Sequence, residues 1–242
     1  MVSTDIAKFL FPLLLAASAL AQSPTTPLNA EQRGDILMAR KMYREAIDVY
    51  KEGDLTSAII WNKLGIAYHQ MLQIDEAKKY YEKAVKLNPK YSEAINNLGT
   101  IYYAKKSYRR AMNQYEKALK LSPNSASIYS NLGTAQFARK RYEQASISYR
   151  KALELDPEVF EHRSSYGTLL QERSVGERAR FHYYLAKTYA HAGNDERALQ
   201  YIRMALEEGF KEREKLMEEP EFAKIRDTVA FKELMATEPR VL

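Results

Sequence analysis

The chain has no cysteine among its 242 residues, so a disulfide framework and any Cys-ligated metal centre are excluded. Histidine is scarce, with single copies at 69, 162, 182 and 191. His182 and His191 belong to one expected helix, but their spacing at about 100° per residue puts them on opposite faces, so they cannot converge on a ligand. There is no His-Glu-x-x-His pair, no phosphate-cradling Gly loop and no Gly-x-Ser-x-Gly elbow. No metal, cofactor or catalytic centre is expected. Long apolar runs are missing too: the one at Phe9 to Ala21 is broken by Pro12 and is shorter than the roughly 20 residues a membrane-crossing helix needs.

That short run follows Lys8 and the amino terminus and ends on Ala19-Leu20-Ala21, a small-x-small cleavage pattern. Residues 1–21 therefore read as a secretory signal peptide cut after Ala21, with a permanent anchor as the competing reading and Asp5 awkward in the charged region. No Cys is available for lipid attachment. The expectation is an exported chain, periplasmic or secreted, with no transmembrane segment after cleavage. Gln22 to Pro27 is a polar linker of Ser, Thr and Pro.

What the chain does contain is one pattern written three times between residues 58 and 157. Gly65, Gly99 and Gly133 are 34 residues apart. Ala77, Ala111 and Ala145 keep that step, as do Tyr81, Tyr115 and Tyr149, then Ala84, Ala118 and Ala152, then Pro89, Pro123 and Pro157. A fixed period of this size marks stacked supersecondary units. Gly in a helix interior costs about 1 kcal/mol relative to Ala, so its recurrence implies that a neighbouring helix approaches closely there. The recurring Ala reads the same way, the Tyr rings fill the space left open, and each Pro ends one helix and begins the next.

Trp61, Leu64, Gly65, Tyr68, Ala77, Tyr81, Ala84 and Pro89, in that order and spacing, resemble the signature of the tetratricopeptide repeat (TPR) family. The resemblance implies an all-α solenoid of antiparallel helix pairs in a right-handed superhelix. Gly34, Ala46 and Tyr50 fall 31 residues before Gly65, Ala77 and Tyr81 and mark a degenerate first pair. Leu185, Ala186, Tyr189, Ala198 and Ala205 mark a fifth, displaced by an insert near 158–173 that suits one extra helix. The solenoid is expected over 28–210. The alternating apolar and charged residues of 211–242 suit a helical cap.

In TPR proteins the first helix of each pair lines a concave groove, and the resemblance places Asn62, Lys63, Ile66 and His69 there, followed by Asn96, Asn97, Thr100 and Tyr103. Ser130, Asn131, Thr134 and Phe137 continue the surface, and Tyr183, Tyr184 and Lys187 extend it into the fifth pair. An Asn amide offers donor and acceptor together, so Asn97 and Asn131, 34 apart, could pair with an extended peptide backbone whatever its side chains. They could equally solvate the groove and bind nothing. The carboxylate clamp of chaperone-binding TPR proteins is not expected: of Asn62, Ile66, Asn97, Ser127 and Asn131 at its positions, only Asn97 matches.

Residues 58–157 carry 17 Lys and Arg against 8 Asp and Glu, and the rest of the chain is net acidic. Lys105-Lys106 and Arg139-Lys140 repeat at 34, with Arg109, Arg110 and Arg141 close by, and together they predict a basic edge where first and second helices turn. Cations at a helix C-terminus also satisfy its dipole, which explains these residues without a partner. Given export, an anionic polymer or lipid headgroup suits the edge better than nucleic acid. The sequence thus favours a non-catalytic scaffold for a protein or peptide partner. An envelope-associated protein using the basic edge is the second reading, and dimerisation through an end repeat stays open.

Overall fold

The computed structural model describes residues 27–160 and 174–236. The expected signal segment at 1–21, all but Pro27 of the linker, most of the inserted helix near 158–173 and the last residues of the cap lie outside them.

Five helix pairs follow one another: α1 (Ala30–Ala39) with α2 (Tyr43–Lys51), α3 (Ala58–Gln70) with α4 (Ile74–Leu87), and α5 (Ser92–Ala104) with α6 (Tyr108–Leu121). Then come α7 (Ala126–Ala138) with α8 (Tyr142–Leu155) and α9 (Val175–His191) with α10 (Asp195–Glu207). The described chain closes with α11 (Arg213–Glu218), a 3-10 turn at Pro220–Phe222 and α12 (Val229–Ala236). No strand occurs among the described residues.

Each recurring residue is where its size demands. Ala77, Ala111 and Ala145 are fully buried, and so are Ala84, Ala118 and Ala152, because helix meets helix at those points. A Cβ placed at Gly65, Gly99 or Gly133 would lie 2.6, 2.6 or 2.5 Å from the ring of Tyr81, Tyr115 or Tyr149, so only glycine lets the ring lie flat on the first helix. Gly34 and Tyr50 make the same contact in the degenerate first pair. The second helices end at Leu87, Leu121 and Leu155, and the pre-proline residues Asn88, Ser122 and Asp156 leave the helical region (φ −133°, −135° and −150°), Asn88 and Asp156 for extended geometry, as steric clash with the following ring requires.

Between the two helices of each pair the corner is also repeated. The backbone N–H of Met42, Gln73, Ser107, Arg141 and Asn194 reaches back to the carbonyl five residues earlier, closing a Schellman turn. The residue before each has positive φ: Lys41 (61°), Leu72 (59°), Lys106 (57°), Lys140 (59°) and Gly193 (76°). Only the last is the glycine that this conformation favours.

The fifth pair packs on the fourth through rings. Phe181 meets Phe137 and Tyr149 edge-on at 5.5 and 5.9 Å. Val159 and Phe160, at the start of the insert, pack into the same interface. The C-terminal segment then folds back on α9: Leu216, Phe222, Ile225 and Phe231 are buried in one cluster with Tyr183, Ala186 and Ile202.

Candidate functional site

The first helices bring four asparagines of repeats two to four onto one line. Asn131 on α7 donates through Nδ2 to Asn96 Oδ1 on α5 at 3.0 Å. Asn96 Nδ2 approaches Asn97 Oδ1 at 3.5 Å, and Asn97 Nδ2 donates to Asn62 Oδ1 on α3 at 3.0 Å. Asn62 Nδ2 donates in turn to Glu93 Oε1 at 2.9 Å. The four amides form a directed chain that ends on a carboxylate. A carboxylate only accepts, so Asn62 must present its NH2 to Glu93 and its carbonyl to Asn97, and each amide orients the next. Asn62 is buried, whereas Asn96, Asn97 and Asn131 are half-exposed. Asn96 and Asn97 each spend one N–H and one lone pair within the chain, so each keeps another N–H and lone pair for a ligand.

Thr100 and Thr134 do a different job. Each donates to the carbonyl four residues back, Asn96 at 3.3 Å and Ser130 at 3.0 Å, and accepts the hydroxyl of Tyr115 or Tyr149 at 3.4 Å. They tie the tyrosine lock from behind. Ser130, Thr134, Tyr103 and Phe137, expected on the groove surface, are buried instead. Tyr103 packs against Tyr108 at 5.2 Å, and Phe137 against Tyr142 at 5.1 Å. Gln136, standing where a Tyr is usual, accepts from the Ser148 hydroxyl at 2.7 Å.

At the N-terminal end, Lys63 lies between Asp35 (2.5 Å) and Glu31 (3.2 Å). Burial works against its charge, but hydrogen bonds to those two carboxylates hold its pKa above the ordinary lysine value. Beside it a cavity of about 230 Å³ opens among Met38, Ile66, Tyr50, Tyr91 and Glu93. Burial and the nearby Glu93 push the Tyr91 hydroxyl up to about 12, so it stays a donor.

At the other end the line of first-helix residues is covered. Tyr183 is buried, its ring stacked on Phe210 at 4.5 Å and its hydroxyl donating to Glu219. Lys187 lies 2.7 Å from Glu219 and 3.6 Å from Glu221. Both were expected in an open groove; instead the segment leading into the 3-10 turn sits on them. Burial raises the Glu219 pKa, yet the bonds from Lys187 and Tyr183 outweigh it and hold the carboxyl below the ordinary value. Tyr184, also expected in the groove, stacks on Tyr142 at 5.1 Å, with the Arg180 guanidinium 5.6 Å from the Tyr142 ring.

The basic residues lie at the corners between paired helices. Lys105 and Arg139 are the C-caps of α5 and α7, Lys106 and Lys140 hold the positive-φ positions, and Arg141 is the N-cap of α8. Arg109 and Arg110 lie in the first turn of α6, and all seven are exposed. Lys105 pairs with Asp75 across to the preceding repeat. Arg40 and Lys41 hold the same corner in the first pair. They were missed from sequence, although the 31-residue offset that aligns Gly34 with Gly65 also aligns Lys41 with Leu72. Leu72 and Gly193 interrupt the series in the second and fifth pairs.

Among the described residues, no group of three or more His, Asp and Glu could hold a metal ion, and no helix is long and apolar enough to cross a membrane. His182 is buried 2.9 Å from Glu208, and burial holds its pKa below the ordinary histidine value despite that carboxylate.

Stacked helix pairs with a polar line along their first helices define a repeat solenoid of the kind that serves as a scaffold for protein contacts. Models described as the TPR repeat or tetratricopeptide repeat match residues 58–91, 80–113, 99–139, 126–159 and 163–210. The chain belongs to the tetratricopeptide-repeat family. Among solved structures, MamA of AMB-1 is similar over 75% of this chain and 98% of its own, at 21% identity and a TM-score of 0.51. MamA from Desulfovibrio magneticus RS-1 is similar over 76% and 94%, at 19% identity and a TM-score of 0.51. These likenesses show the fold. No curated protein matches the chain by sequence.

Proposed function

We propose that the chain is a non-catalytic scaffold that holds an extended segment of a partner protein along the first helices of repeats two to four. The observation that carries this reading is the directed amide chain from Asn131 to Glu93. It holds Asn96 and Asn97 in single orientations with donors and acceptors to spare, which suits recognition of a peptide backbone. The covered end at Tyr183 and Lys187 confines the segment to the earlier repeats.

The test is capture of a partner by the full chain beside Asn97→Ala, Asn131→Ala of unchanged helicity. Loss of a partner in the double variant supports the groove. Equal capture by both proteins sinks it.

The second reading, a contact of the basic edge with an anionic polymer or membrane surface, is favoured by the exposed Lys41, Lys106 and Lys140 at corners where glycine would be less strained. Salt separates the two. An edge contact weakens steeply as ionic strength rises, whereas a neutral amide contact changes little. Export rests on residues 1–21, and the mass of the protein recovered from an envelope fraction tests it: a chain that still begins at Met1 counts against cleavage.

A further inference from the structure

The cavity at the N-terminal end of the groove has a composition unlike the rest of the site. Met38 and Ile66 supply apolar surface, the rings of Tyr50 and Tyr91 stand beside them, and Glu93 contributes a carboxylate. Its volume of about 230 Å³ is below the roughly 300–1,000 Å³ of small-molecule sites and suits one long side chain.

The charges around it do not balance. Glu31 and Asp35 already share Lys63, the one cation in the lining. Among the described residues Glu93 is held by neutral donors only, Asn62 Nδ2 at 2.9 Å and the Tyr91 hydroxyl at 3.2 Å, and forms no ion pair. Asn62 is 1% exposed, so the group that aims this carboxylate is itself fixed by packing. An oriented carboxylate without a cation, beside apolar surface that can cover a methylene stem, has the complement of a basic side chain.

We propose that this cavity is a specificity pocket for a Lys or Arg side chain of the bound segment, with Glu93 as the counter-charge. The proposal deepens the groove reading and rests on it. A basic residue entering there fixes the register of the segment, while the amides of Asn96 and Asn97 read backbone whatever its sequence.

The test uses acetyl-lysine methylamide and acetyl-norleucine methylamide, which keeps the four-carbon stem but lacks the ammonium, titrated against the isotope-labelled full chain by NMR. The lysine probe is expected to shift the Asn62 side-chain amide and the Tyr91 ring saturably, and the norleucine probe to bind about tenfold more weakly. Glu93→Gln is expected to abolish the difference between the probes. Equal shifts from both probes, shifts confined to other residues, or a preference for lysine that persists in Glu93→Gln would each overturn the pocket. The probe comparison on the unaltered chain needs no substitution, so a misfolded variant cannot decide it. A failed pocket beside loss of partner in Asn97→Ala, Asn131→Ala would leave the groove reading standing; equal partner capture by that double variant would sink the groove reading whatever the probes do.

Discussion

In repeats one to four a glycine on the first helix lies under a tyrosine ring from the second, whereas in the fifth pair the corresponding positions are Ala186 and Ile202, both fully buried. A Cβ at the glycine is tolerable once the ring opposite is replaced by a narrower branched chain. The two regions therefore fill the space between paired helices with different shapes, glycine under a ring in one and alanine with a branched chain in the other. The groove differs in parallel. Its first-helix line is partly open in repeats two to four, and covered in the fifth by Glu219, Glu221 and the buried Phe222.

The largest expected effect removes the cover. Phe222→Ala should cost about 3–5 kcal/mol of stability in denaturant unfolding, since a fully buried ring is lost. Proteolytic cuts should appear within 211–236 before the repeats themselves open. A uniform loss across the chain would mean that the fifth pair and the cap are not separable from the rest.

Next comes the lock. Gly99→Ala should cost about 1–3 kcal/mol, because a Cβ 2.6 Å from Tyr115 forces the ring or the helix to move. Adding Tyr115→Ile, which copies the fifth pair, should recover part of that loss. If the double variant is as unstable as the sum of its parts, the comparison between the two regions fails.

A smaller effect of opposite sign is expected at the corners. Lys106→Gly and Lys140→Gly should each stabilise by about 1 kcal/mol, since a side chain at positive φ is strained and glycine is not. Gly193 already has this form in the fifth pair. Thermal melts compare the variants directly.

The smallest effect is one of pH. His182 and His69 have folded pKa values below the ordinary one, chiefly through burial. The unfolded chain therefore binds their protons more readily, and stability present above about pH 6.5 declines as pH falls toward the folded values. Glu219 adds a second loss below the ordinary carboxylate range, because its folded pKa is lowered. Melts between pH 8 and pH 5 should slope downward, and His182→Gln should reduce the slope.

Most of the solenoid was legible because its signals are local and repeated. The Gly, Ala, Tyr and Pro series named which helices approach, where rings fill and where helices end, and the structure has each in that role. The groove was legible only in outline. Asn97 and Asn131 stood out by spacing, yet each pairs with an asparagine of the preceding repeat, Asn62 or Asn96, so the line is one connected chain rather than a set of separate rungs. Glu93 was overlooked, although its equivalents at 34 residues are Ile59 and Ser127 and it is the one acid in the series. Tyr183 and Lys187 had the right register but the wrong exposure, because nothing local in α9 announces a segment that returns more than 30 residues later.

The sequence by itself determined the repeat and the pairing of helices, since a residue's size at a fixed spacing dictates how near two helices can come. Only the tertiary structure decided which polar groups remain for a partner. Hydrogen bonds such as Asn131 to Asn96 and ion pairs such as Lys187 with Glu219 join residues about 30 or more positions apart. Whether a side chain is spent internally or left open depends on how those distant surfaces meet.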